Sequence, residues 1–84
     1  MTIKTLIVKK LQQYINKEKL KLEELFNKEN TTEKQLLSKV KNIHTATQQL
    51  RNIKFKDEYE YTERDGKLYY LVNNHRLFLM KTSK

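Results

Sequence analysis

The chain has 84 residues, a single Gly, no Pro, no Cys and a formal charge of +8. A chain this short buries a modest core, and without cysteine it has neither disulfides nor thiolate metal sites to reinforce it. The charge is uneven: residues 1–54 hold twelve Lys/Arg against five Glu, a net of +7, whereas 55–84 hold six against five, a net of +1. An excess of that kind favours anionic partners. A Lys-, Asn- and Ile-rich, Arg-poor bias also follows from an AT-rich coding genome, so charge alone carries limited weight.

The first helix is expected over about residues 3–28. Val8, Leu11, Ile15, Leu22 and Leu25 recur at alternating spacings of three and four, with Glu18 in the skipped position and Ile7 and Tyr14 widening the stripe. Asn27 to Thr32 breaks the pattern with cap-forming residues. Thr32 and Gln35 have capping-box spacing, and Glu33 places negative charge at the positive end of the next helix. That second helix is expected over about 32–53, with Leu36, Val40, Ile43, Leu50 and Ile53 as its stripe, Leu37 and Ala46 beside it, and Thr47 as a weak point. Two helices joined by a short polar connection fold back as an antiparallel hairpin.

After Lys54 the period changes from helical to alternating. Tyr59 and Tyr61 alternate with Glu58, Glu60 and Thr62, which reads as a strand over about 57–63. Asp65-Gly66 is a two-residue turn signal that sets Arg64 opposite Lys67, Tyr61 opposite Tyr70 and Tyr59 opposite Val72. Strands over about 67–73 and 76–81 follow, separated by a second turn around Asn73-Asn74-His75. The expected fold is α+β: a long antiparallel helical hairpin followed by a three-stranded antiparallel β-meander, one domain over 1–84.

With a two-residue second turn, Tyr59, Tyr61, Leu68, Tyr70, Val72, Leu77 and Leu79 share the face that covers the helices. Tyr69, Leu71, Phe78 and Met80 then lie on the opposite face among Glu60, Thr62 and Arg76, more apolar surface than a small sheet usually shows to water. A three-residue turn would reverse the last strand.

Chemistry is sparse. The only Gly sits in a turn, so there is no Gly-rich phosphate loop. Ser38 and Ser83 have no His nearby in sequence, and His44 and His75 are isolated, so neither a nucleophilic site nor a metal site is expected, and no cofactor. Asp57, Glu58, Glu60, Glu63 and Asp65 read as a solvated strand edge rather than a catalytic cluster. No apolar run approaches the roughly 20 residues that span a bilayer. Lys4 and Lys9-Lys10 interrupt the first apolar stretch before a signal sequence can form. The expectation is a cytoplasmic protein with no membrane association and no small-molecule substrate.

The composition resembles that of accessory proteins of phages and mobile elements in AT-rich bacteria, a likeness that rests on no motif. The functional expectation is a non-enzymatic protein-binding module, a small regulator or inhibitor of a larger protein, one that handles nucleic acid in the sharpest form of the reading. Tyr69, Leu71, Phe78 and Met80 would form the interface, with self-association into a homodimer as one use of it. The alternative is direct nucleic-acid binding by the basic hairpin, or contact there with an acidic partner, through Lys9, Lys10, Lys17, Lys39, Lys41, Gln48 and Arg51.

Overall fold

Thr2 opens the first helix by accepting a bond from the Thr5 backbone N–H at 3.2 Å. The computed structural model describes residues 2–82. Helix α1 spans Ile3–Phe26 and helix α2 spans Glu33–Lys56; strands β1 (Thr62–Arg64), β2 (Lys67–Val72) and β3 (His75–Lys81) follow in the sheet order β1-β2-β3, all antiparallel. This is the ααβββ arrangement expected from the pattern. The capping box at Thr32 is complete, with Gln35 N–H donating to the Thr32 hydroxyl at 3.3 Å and the Thr32 N–H to the Gln35 side chain at 3.2 Å.

Two boundaries differ from expectation, and one causes the other. Helix α2 continues past Ile53 through Lys54, Phe55 and Lys56, since nothing there breaks a helix and the two lysines favour its negative end. It stops at Asp57, whose backbone is left-handed at φ 54°. The chain then needs residues 57–61 to reach the sheet, so β1 begins at Thr62 and its ladder holds only Thr62↔Tyr69, Glu63↔Leu68 and Arg64↔Lys67. The register is the expected one, but the Tyr61–Tyr70 and Tyr59–Val72 pairs are not in the ladder. Tyr59 and Tyr61 stay exposed rather than covering the helices.

Both hairpin turns are two residues long. Asp65 and Gly66 (φ 54° and 73°) and Asn73 and Asn74 (φ 48° and 67°) all take positive φ, the geometry that matches strand twist. Val72 therefore pairs with His75, Leu71 with Arg76, Tyr70 with Leu77 and Tyr69 with Phe78. Beyond Phe78 a bulge intervenes, so that Met80 rather than Leu79 pairs with Leu68.

The core gathers at the open end of the helical hairpin. Ile7, Leu11, Tyr14 and Ile15 of α1 and Ala46, Leu50 and Ile53 of α2 meet Leu68, Tyr70, Val72 and Leu79 of the sheet. Ile7, Leu11, Ile53 and Val72 are fully buried, each worth about 1.5–3 kcal/mol of apolar transfer. Asn73 locks the second turn onto both helices: its Nδ2 donates to the Asn42 carbonyl at 2.9 Å and to the Tyr14 hydroxyl at 3.2 Å. The Lys4–Asp57 ion pair ties the start of α1 to the end of α2.

The far half of the hairpin has no sheet over it. Leu22, Leu25 and Leu36 are half-buried there, Leu37 and Val40 are exposed, and one polar link crosses between the helices. Lys39 Nζ donates to Glu18 Oε2 at 2.7 Å, with the carboxylate almost fully buried. The position that interrupts the apolar stripe thus holds a buried ion pair. The molecule measures 49 × 28 × 17 Å, an elongated body with a helical arm.

Candidate binding surfaces

Three surfaces carry the exposed chemistry: the outer face of the sheet, the outer line of α2, and a groove beside β1. On the sheet, Leu68, Tyr70 and Val72 point to the core, so alternation turns Lys67, Tyr69 and Leu71 outward. Register adds Thr62 and Arg64 from β1, and Arg76, Phe78 and Lys81 from β3. Leu71 is 55% exposed and Phe78 42%, and the Tyr69 and Phe78 rings meet edge to face with centroids 6.0 Å apart. Met80 is also exposed, but the bulge sets it opposite inward-facing Leu68 and takes it out of the alternation that carries the other three.

Charge in the outward register of this face is mainly positive. Arg64, Lys67 and Lys81 form a row across all three strands, and Arg76 stands opposite Leu71. Glu63 belongs to the opposite parity, across from Leu68, yet it lines the shallow pocket on this face with Thr62, Arg64, Tyr69, Leu71 and Arg76. Like charges directly across a sheet repel, as Arg64, Lys67 and Lys81 do here.

The residues singled out on the helices separate into groups. Lys39 is engaged by Glu18 and faces the partner helix. Lys10 and Lys17, seven residues apart, lie along one line of α1, while Lys9 projects about 100° away from Lys10. Lys41, Gln48 and Arg51 come together. They fall on one line with Leu37, His44 and Phe55, at spacings of four and three, and all six are exposed. Phe55, 79% exposed, lies beyond the second helix expected to end at about residue 53. Its spacing of four from Arg51 was the available signal.

No family model matches the chain, and neither does any curated protein or solved structure.

The groove, about 740 Å³ and open to solvent, runs between the end of α2, residues 57–62 and β2. Its rim holds Asp57, Glu58 and Glu60, with Tyr59, Tyr61 and Tyr70 along it. Tyr70 is nearly buried, and desolvation raises its phenol pKa above the usual value, partly offset by Gln49 Nε2 donating to the hydroxyl at 2.9 Å. Gln49 also reaches the Leu71 carbonyl at 3.4 Å, on the part of β2 that β1 leaves uncovered. Among the described residues no group of three or more His, Asp or Glu is placed to hold a metal ion, and no helix is long and apolar enough to cross a membrane. His75 packs its ring against Tyr14, centroids 5.9 Å apart, and His44 lies on the exposed line of α2.

Proposed function

We propose that this chain is a non-enzymatic protein-binding module that docks through the outer face of its sheet and regulates or inhibits a larger protein. The observation that carries the reading is the outer face itself: exposed Leu71 and Phe78 beside half-buried Tyr69, in a patch framed by Arg64, Lys67, Arg76 and Lys81. Apolar anchors ringed by charge are the composition of an interface centre and its rim. The cation row supports the same reading, because repulsion across Arg64, Lys67 and Lys81 is a cost in the free protein that an anionic partner surface would relieve. The partner is accordingly a protein with an apolar centre flanked by Asp or Glu, and an accessory role of the phage or mobile-element kind fits a module this small.

The test is quantitative capture from the native host with wild type, Phe78→Asp and Leu71→Asp as baits, alongside sedimentation of each protein alone. Both substitutions are at exposed positions, so folding is expected to persist. A protein retained by wild type and lost with both variants supports the proposal. A wild-type dimer that both variants dissociate would identify a second copy as the occupant. Identical captured sets and identical masses would refute the interface.

A further inference from the structure

We infer that the exposed face of α2 is a second binding surface, one that takes the phosphate backbone of double-stranded nucleic acid, separate from the sheet face. Leu37, Lys41, His44, Gln48, Arg51 and Phe55 lie on one line, and none of them is buried against the rest of the molecule. Lys34 sits seven residues before Lys41 and extends the row of cations. The helix contains one carboxylate, Glu33, confined to its first turn, so no anion interrupts the line from Lys34 to its end. The polar chemistry on it suits duplex contact: Lys34, Lys41 and Arg51 for phosphates, with Gln48 among them as a further hydrogen-bonding side chain and apolar Leu37 and Phe55 toward its ends.

Geometry supports the same ligand. From Lys41 to Arg51 the line runs about 15 Å, and from Lys34 to Arg51 about 25 Å, at 1.5 Å per residue. A helix about 10–12 Å across fits a major groove about 12 Å wide, and a row of that length can reach phosphates along its rims. The row lies on the side of α2 turned away from Ala46, Leu50 and Ile53, which pack against the sheet. The two surfaces can therefore be occupied together, and the molecule can bring an anionic protein and a nucleic acid to opposite sides of one body. An acidic protein would need its carboxylates set along the same straight row, whereas a duplex presents its phosphates in a regular row by its own structure.

Fluorescence anisotropy with a mixed-sequence DNA duplex of about 20 base pairs, read between about 50 and 200 mM salt, tests this. Contacts from Lys34, Lys41 and Arg51 give a slope of log affinity on log salt of about −2.7, an affinity loss of about forty-fold over that range. The Lys41→Gln/Arg51→Gln double variant should fall to a slope of about −0.9 and lose only about three- to four-fold. Phe78→Asp should bind the duplex as wild type does, which separates failure of this surface from failure of the sheet face. Three results would overturn the inference: an unchanged slope in the double variant, equal loss of binding in Phe78→Asp, or polyglutamate of matched charge binding as tightly as the duplex. Circular dichroism of each variant checks that the fold is intact.

Discussion

The buried Glu18–Lys39 pair makes an asymmetric prediction. Glu18 is 3% exposed, while a quarter of the Lys39 side chain reaches solvent. Replacing Lys39 by Met keeps the stem but leaves a carboxylate buried without its counter-charge, a type of loss that costs about 3–5 kcal/mol in a dry interior. The thin far half of the hairpin lets water approach, so about 2–3 kcal/mol is expected here, near the loss of a hydrogen bond to a charged group. For a domain of this size that lowers the melting temperature by about 10–20 °C. Glu18→Leu removes the buried charge instead, and Lys39 can turn its ammonium to water, so the expected change is under about 1 kcal/mol. The double variant Glu18→Leu/Lys39→Leu should equal or exceed wild type, by up to about 4 kcal/mol. Thermal and urea unfolding followed by circular dichroism measures all three. Equal losses for the two single variants, or a shift below about 2 °C in Lys39→Met, would refute the reasoning.

Three further outcomes follow from separate parts of the structure. Lys67→Glu should stabilise the isolated protein by about 0.2–1 kcal/mol through its new neighbours Arg64 and Lys81, while weakening capture by the sheet face; a destabilised variant would contradict the cation row. Asn73→Gly keeps the positive φ but loses the bonds to Asn42 and Tyr14, for an expected cost of about 1–2 kcal/mol. Asn73→Ala should cost about 1 kcal/mol more because φ is 48°, so urea midpoints in the reverse order would count against the turn geometry. Tyr70 has a pKa raised in the folded state by burial, so its contribution to stability is intact below the unfolded value of 10.0 and is lost as pH climbs through the folded one. In Tyr70→Phe the alkaline loss of stability should be shallower than in wild type, and an unchanged alkaline limb would remove Tyr70 as its cause.

Much of the fold was legible because its signals are local. The Thr32–Gln35 box, Asp65-Gly66 and the heptad-like spacing of Leu11, Ile15, Leu22 and Leu25 each fix a nearby stretch of backbone without tertiary help. The start of β1 was not legible for the opposite reason. Alternating Tyr59 and Tyr61 fit a strand, but the length of α2 decides which residues remain free to pair, and Lys54–Lys56 fit a helix equally well. The outer sheet face followed from turn length, which Asn73-Asn74 determines. Its Met80 corner did not, since the bulge before Met80 depends on how β3 settles over α1. The line from Leu37 to Phe55 was present in the spacing but hidden among lysines that occur on every side of the helices.

The uneven distribution of the core also makes the hairpin an adjustable ruler. The buried core positions of the helices run from Ile7 to Ile15 and from Ala46 to Ile53, away from the connection from Asn27 to Thr32. Seven residues inserted into each helix just before and just after that connection would keep the same faces inward and extend the reach by about 10 Å. A fluorescent or affinity module grafted at Glu29-Asn30 would stand at the far tip, at a distance from the sheet set by two helices rather than by a loose tether. Both proposed surfaces would remain free while the reporter tracks where the protein goes.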